Sequence, residues 1–167
     1  MVRRARRELG GLDGLVLNAS VFHKTPWTTV SADDWDLFLN TNLRSVFLLS
    51  LQASRAMKRG AIVVIGDGAT SRPIRDYVPY AVSKAALRPL VASLALELAP
   101  RIRVNMVESG PVLPPEGLDV AGRERLRRLQ PLEKIGRPAN LLPAIRDCLT
   151  NDFMTGATIR IDGGRGL

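Results

Sequence analysis

Short, continuous apolar runs alternate with helical stretches along the chain, and this alternation constrains the fold more than any other feature. The clearest run, Ala61–Ile65, has a glycine at each end. Other runs lie at 15–17, 101–107 and 157–161. Uninterrupted apolar strands separated by helices are typical of a parallel sheet that is covered on both faces. The sequence therefore predicts an α/β fold with a doubly wound parallel sheet of about four strands with flanking helices.

The helical stretches have recognisable starts and faces. Ser31 is the predicted N-cap of the first, because acidic residues follow it in the first turn. Apolar residues then recur at helical spacing from Trp35 to Ala53. A second helix is predicted for 80–99, where Pro89 removes a backbone hydrogen bond and is expected to bend it. A third covers 139–149.

Composition places the chain among ordinary globular domains. Its 167 residues are 46% apolar and 24% charged, which excludes a disordered chain and predicts a single domain over 1–167. No apolar run approaches the roughly 20 residues of a membrane span. Cys148 is the single cysteine, so an intramolecular disulfide and a cysteine-based metal site are excluded. We expect a cytoplasmic domain that uses neither a metal nor a membrane.

The net charge of +8 raises the possibility of a nucleic-acid partner. The basic residues concentrate at 3–7 and 123–128, but neither cluster contains an aromatic residue. We interpret both clusters as solvated helix faces and expect no nucleic-acid partner. The nucleic-acid alternative predicts binding that weakens steeply with salt.

Three polar side chains stand out on the predicted helices. Asn42 interrupts an apolar stripe, where an unpaired amide would be costly, so it requires a partner. Tyr80 and Lys84 are four residues apart and share a helix face. A nearby ammonium lowers a phenol pKa and equips tyrosine for general acid–base chemistry. Taken alone, such a pair is more often an ordinary surface pair.

Polar or glycine residues also follow three of the predicted strands. Asn18, Asp67 and Gly110 occupy these positions. Each residue type is common in ordinary turns. However, the carboxyl ends of parallel strands form the ligand-binding edge of a doubly wound sheet. Their convergence with Tyr80 and Lys84 predicts a functional site.

The ordered set of these motifs resembles the short-chain dehydrogenase/reductase family. Tyr80–Lys84 matches the family's Tyr-x-x-x-Lys signature, and Asn18–Ser20 is similar to its Asn-Asn-Ala-Gly strand end. Asn42 lies where the family has a fourth catalytic residue. Further similar segments are Arg103–Asn105, Ser109–Gly110 and Ile161–Gly164. The resemblance covers practically the whole chain, in the family's order and spacing.

The resemblance implies a Rossmann-type fold and an NAD(P)H-dependent oxidoreductase. It implies that Tyr80 donates a proton, Lys84 lowers its pKa and holds the nicotinamide ribose, and Asn42 orders a water behind Lys84. Asp67 would assist the proton relay. The implied cofactor contacts are Asn18, Ala19, Ser20, Tyr80, Lys84, Gly110 and Val112.

One branch of the family, the pteridine reductases, is more similar than the rest. Asp67 lies thirteen residues before Tyr80, where the family usually has serine. The segment Asn18–Phe22, followed by Thr25-Pro26, also resembles that branch. The branch implies NADP, with NAD left open, and a small-molecule substrate that is a pterin-like C=N compound or a carbonyl. The implied substrate contacts are Phe22, Asp67 and Tyr80; ordinary loop packing is the alternative for Phe22.

The main departure from the family is the glycine-rich fingerprint, Gly-x-x-x-Gly-x-Gly, which the sequence does not contain. We therefore expect an N-terminally truncated chain that holds only the C-terminal part of the fold and is inactive alone. A homodimer or homotetramer is expected through helices 31–58 and 80–99. The alternative hypothesis is a non-catalytic remnant that serves as a structural or oligomerisation module.

Overall fold

The computed structural model describes residues 1–114 and 117–167, which form a sheet of four parallel strands. The strands lie side by side in chain order, and because neighbours are parallel, a crossover connection joins each strand to the next. This confirms the predicted α/β parallel sheet. The strands are β1 (Gly14–Leu17), β2 (Gly60–Asp67), β3 (Ile102–Ser109) and β4 (Thr158–Ile161).

Helices cover both faces of this sheet. The two arginine clusters lie on the first and sixth helices, where most of their side chains are exposed, as expected for solvated faces. No helix of the described residues is long and apolar enough to cross a membrane. The helices are α1 (Val2–Leu9), α2 (Ala32–Phe38), α3 (Ser45–Ala56), α4 (Val78–Ala85), α5 (Leu87–Leu98), α6 (Val120–Arg128) and α7 (Leu142–Thr150).

Two stretches that were each predicted as one helix are divided in the structure. A π-helical segment, Leu39–Arg44, separates α2 from α3 and brings Asn42 into the interior. Trp35, predicted on the core stripe, is 41% exposed instead. The stretch 80–99 divides at Ala86, since Pro89 has no N–H to continue the helical hydrogen bonds.

The core consists of two apolar layers, one on each face of the sheet. On one face, α3 and α5 contribute Val46 and Val91 to the apolar cluster that contains Ile62 of β2. On the other, α7 packs against β2 and β3, with the fully buried Cys148 in the same apolar cluster as Val63. This double covering explains why β2 and β3 read as uninterrupted apolar runs.

The ends of the strands place the polar residues at one edge. Asp67 is the last residue of β2, and Asn18 and Gly110 come directly after β1 and β3. Because all the described strands are parallel, the three residues lie at the same side of the sheet.

Ser31 caps α2 through a reciprocal pair of hydrogen bonds with Asp34, which confirms the predicted helix start.

Candidate functional site

A tyrosine and a carboxylate meet at the carboxyl end of β2. Asp67 is the last residue of β2, and Tyr80 lies in the first turn of α4. The phenol Oη of Tyr80 donates to Asp67 Oδ2 at 2.5 Å, and Ala69 N–H donates to Asp67 Oδ1 at 2.7 Å. Tyr80 is only 5% exposed. The structure thus brings together two of the predicted catalytic residues.

The protonation of Tyr80 differs from the sequence expectation. Burial and the charge of Asp67 raise the pKa of Tyr80 well above its ordinary value, whereas Lys84 was expected to lower it. The reason is geometric, because the Lys84 ammonium donates to the carbonyl of Ile65 at 3.2 Å. The prediction of a lowered phenol pKa is therefore wrong for this state, and Tyr80 is a neutral hydrogen-bond donor.

Lys84 lies one helical turn beyond Tyr80 and is 6% exposed. Burial lowers its pKa, and the nearby charge of Asp67 acts in the opposite direction. An ammonium has three N–H donors, and within the described residues only the carbonyl of Ile65 accepts from it. Two donors of a buried lysine are therefore left for a ligand.

Asn42 connects the loop after β1 to α4. Its Oδ1 accepts from Val21 N at 2.8 Å and from Ser20 Oγ at 3.1 Å. Its Nδ2 donates to the carbonyl of Val21 at 3.1 Å and to Ser83 Oγ at 3.0 Å. The expectation that Asn42 needs a partner is confirmed. All four hydrogen-bonding positions of the amide are used, so none remains for the water that the resemblance implies.

We expect Asn42→Ala to lower the free energy of unfolding by about 2 kcal/mol, because it leaves Val21 and Ser83 without their partner. Urea unfolding of the purified chain measures this change. Asn40→Ala is the matched control, since Asn40 lies on the same π-helical segment with its side chain exposed. Equal stability of the two variants would contradict a linking role for Asn42.

Phe22 lies at the rim of the site and is 53% exposed. Its ring stacks on Tyr77 with centroids 5.0 Å apart and meets Tyr80 edge-on at 4.7 Å. Loop packing therefore accounts for one side of the ring, while much of the ring stays accessible. Tyr77 was not anticipated, although it is the N-cap residue of α4, three positions before Tyr80.

A cavity of about 700 Å³ opens in front of these side chains. Asp67, Tyr80 and the Phe22–Tyr77 pair line it, and α6 contributes Leu126. The contribution of α6 was also missed, since its sequence is dominated by charged residues.

The remaining expected cofactor contacts have varied environments. Asn18, Ala19 and Ser20 are exposed beyond β1. Gly110 pairs with β4 through its N–H to the carbonyl of Ile161 at 3.0 Å, and a Cβ there would lie 2.6 Å from Asp162 Cα. Val112 packs against the apolar layer beneath α7. Gly110 and Val112 therefore both make packing contacts within the protein, Gly110 against Asp162 and Val112 against the apolar layer.

Comparison with known proteins agrees with this geometry. A family model described as enoyl-(acyl carrier protein) reductase matches residues 1–165. A probable short-chain type dehydrogenase/reductase of Bradyrhizobium diazoefficiens is 35% identical over 96% of this chain and 62% of its own length. L-xylulose reductase of Mus musculus is 33% identical over 96% of this chain and 70% of its own length. The chain belongs to the short-chain dehydrogenase/reductase family.

Solved structures of the family share the architecture. A short-chain dehydrogenase/reductase from Serratia marcescens superposes with a TM-score of 0.92 at 34% identity, covering 99% of this chain and 70% of that one. This confirms the Rossmann-like fold. The chain spans about two thirds of the length of the relatives it matches. The pteridine reductase branch stays a prediction.

Proposed function

We propose that this short-chain dehydrogenase/reductase chain carries the nicotinamide side of an NAD(P)H-dependent reductase site. The observation that carries the proposal is the 2.5 Å hydrogen bond from Tyr80 Oη to Asp67 at the carboxyl end of β2, facing a cavity of about 700 Å³. A buried proton donor and a carboxylate in one cavity are suited to protonating a substrate oxygen or nitrogen.

The residues present fit the nicotinamide end of a dinucleotide, which supplies a hydride when bound. Lys84 is buried and has two N–H donors without acceptors among the described residues, which suits ribose hydroxyl groups. Asn18 and Ala19 lie exposed at the adjoining strand end. We favour NADP over NAD on the likeness to the pteridine reductases.

The pyrophosphate end has no such support in residues 1–167, whose sequence contains no Gly-x-x-x-Gly-x-Gly turn. That turn and the helix after it neutralise the phosphates. We therefore propose that the polypeptide 1–167 does not turn over a dinucleotide by itself. The second candidate function, a non-catalytic structural or oligomerisation module, rests on the same feature.

The proton chemistry follows from the contacts of Tyr80. Burial and Asp67 raise the pKa of the phenol, so Tyr80 holds its proton until a substrate accepts it. Once Tyr80 has given its proton to the substrate, the phenolate must regain one from solvent. Asp67 is suited to accept that proton and pass it on, because the two side chains are hydrogen-bonded, and in its protonated form it can also deliver a proton toward a ring nitrogen.

Two substrate classes are consistent with the cavity. The exposed part of the Phe22 ring, backed by Tyr77, offers a surface on which a flat pterin can stack. The carbonyl alternative is supported by the similarity to L-xylulose reductase. The Asp67 carboxylate favours the pterin-like C=N substrate, since that reaction needs protonation of nitrogen.

The test of this function uses a fusion in which a segment with the family's glycine-rich turn, taken from a family member, precedes Met1. We expect the fusion to oxidise NADPH when either dihydrobiopterin or L-xylulose is supplied as the substrate to be reduced.

Asp67→Ser should lower pterin turnover by about 10²-fold or more and carbonyl turnover much less, because serine still donates to an oxygen. Equal losses on both substrates would contradict the relay role of Asp67. A folded fusion that binds NADPH but reduces neither substrate favours the non-catalytic alternative.

We also propose that the protein assembles as a homodimer or homotetramer through α2–α5. Large apolar side chains are exposed on these helices, among them Phe47 on α3 and Leu96 on α5. Light scattering at micromolar concentration should show a dimer or tetramer, and Phe47→Asp or Leu96→Asp should shift it toward monomer. Leu142→Asp, at an exposed leucine of α7, is the matched control. A monomeric wild-type protein would contradict the assembly.

A further inference from the structure

The cavity in front of Tyr80 has an excess of positive charge. Lys24, Arg125 and Arg165 line it, and Asp67 is the one carboxylate among the described lining residues. The three cations come from the loop after β1, from α6 and from the turn after β4, so they are far apart in the sequence. The fold therefore gathers positive charge at this cavity from three separate segments.

Among residues 1–114 and 117–167, these three cations have no acidic partner, in contrast to Arg127, Arg128 and Arg160. Arg127 and Arg128 pair with Glu124 on α6, and Arg160 pairs with Glu108. Across residues 1–114 and 117–167, no carboxylate forms an ion pair with Lys24, Arg125 or Arg165. Their side chains likewise have no hydrogen-bond acceptor there.

The carboxylate of Asp67 does not neutralise this charge. Its hydrogen bonds come from the neutral donors Tyr80 Oη and Ala69 N–H, and its single negative charge offsets only one of the three positive charges. Unpaired cations around a concave site raise the local concentration of anionic ligands. The counter-charge is therefore expected from the ligand.

The rest of the lining limits what else that ligand contains. Ile74, Leu118 and Leu126 line the cavity, together with the stacked rings of Phe22 and Tyr77. Such walls favour an apolar or aromatic body. The ligand that matches both parts of the lining is an amphipathic small molecule with a flat or apolar body and an anionic group.

We propose that the substrate carries an oxyanion group, a carboxylate or a phosphate, in addition to the group that is reduced, and that Arg125 and Arg165 bind it. A guanidinium presents paired donors that match either oxyanion, and Lys24 adds a third charge at the same cavity. This inference rests on the proposed function, because it concerns the substrate of the same site.

The test is a binding titration of residues 1–167 in which NMR or calorimetry measures the affinity. Its result therefore does not depend on turnover. The probes are benzoylformate, its uncharged methyl ester, and phenyl phosphate. We expect benzoylformate or phenyl phosphate to bind at least about tenfold more tightly than the ester, and the tighter of the two identifies the oxyanion. Added salt should weaken binding of the anions and leave the ester unaffected.

Variants assign the effect to the proposed residues. Arg125→Gln and Arg165→Gln should each weaken anion binding about three- to tenfold and leave ester binding unchanged. Arg101→Gln is the matched control, because Arg101 is exposed just before β3, at the opposite edge of the sheet. Equal affinity for anion and ester, or equal effects of all three variants, would overturn the inference.

The outcomes separate this inference from the proposed function. If the anions bind as expected but the fusion does not reduce any carbonyl or pterin, the proposed function fails and the anion site stands. If the fusion reduces neutral substrates and the arginine variants bind all probes like the wild type, the inference fails and the function stands.

Discussion

Tyr80→Phe should lower kcat of the fusion by about 10²–10⁴-fold, because it removes the proton donor of the site. The fold should survive, since the substitution deletes one oxygen from a side chain that is otherwise buried. Loss of the hydrogen bond to the Asp67 carboxylate is expected to lower the free energy of unfolding by about 1–3 kcal/mol. Steady-state NADPH oxidation and urea unfolding measure the two effects.

Tyr77→Phe is the matched control for this prediction. Tyr77 lies in the same cavity, with its ring centroid 6.4 Å from that of Tyr80, and it stacks on Phe22. Removal of its hydroxyl keeps that stacking and leaves the proton donor intact, so its kcat should remain within a few-fold of the wild type. Similar losses in both variants would show that Tyr80 is not the specific donor.

We expect Gly110→Ala to lower the free energy of unfolding by about 3 kcal/mol, in the absence of any cofactor. The added Cβ would lie 2.6 Å from Asp162 Cα and 2.7 Å from its carbonyl oxygen, which no side-chain rotation can relieve. Separation of the ends of β3 and β4 would relieve the clash and disturb their pairing. Urea unfolding of residues 1–167 measures the loss.

Gly11→Ala provides the comparison for Gly110. A Cβ at Gly11 has its nearest contact at 3.8 Å, an ordinary van der Waals distance, so its effect should stay within about 0.5 kcal/mol. A Gly110→Ala variant as stable as Gly11→Ala would mean that the strands are not held this closely. Gly110 would then be better explained as a cofactor contact.

Much of the site could be predicted because the parallel topology determines where strand ends meet. Asp67 and Tyr80 lie thirteen residues apart, yet the end of an apolar strand and the start of the next helix had to share one edge of the sheet. The partner requirement of Asn42 followed from the cost of burying an amide. Its actual partners, Ser20, Val21 and Ser83, depend on the π-helical segment, which the apolar spacing did not predict.

The features that could not be predicted depend on side-chain directions and on burial. The spacing of Tyr80 and Lys84 indicated proximity, but it did not show that the ammonium turns toward the carbonyl of Ile65. The buried Glu108 pairs with Arg88 on α5 and Arg160 on β4, residues distant in sequence with no shared motif. Only the three-dimensional structure shows that these groups meet.

The most direct test of the nicotinamide site is an NMR titration of ¹⁵N-labelled residues 1–167 with reduced nicotinamide mononucleotide. This ligand lacks the adenylate half, so its binding does not need the glycine-rich turn. We predict weak, saturable shifts confined to the amides around Asn18, Ala19 and Lys84, and their loss in Lys84→Met. Shifts elsewhere on the protein, shifts that persist in Lys84→Met, or unchanged spectra at millimolar ligand would contradict the account.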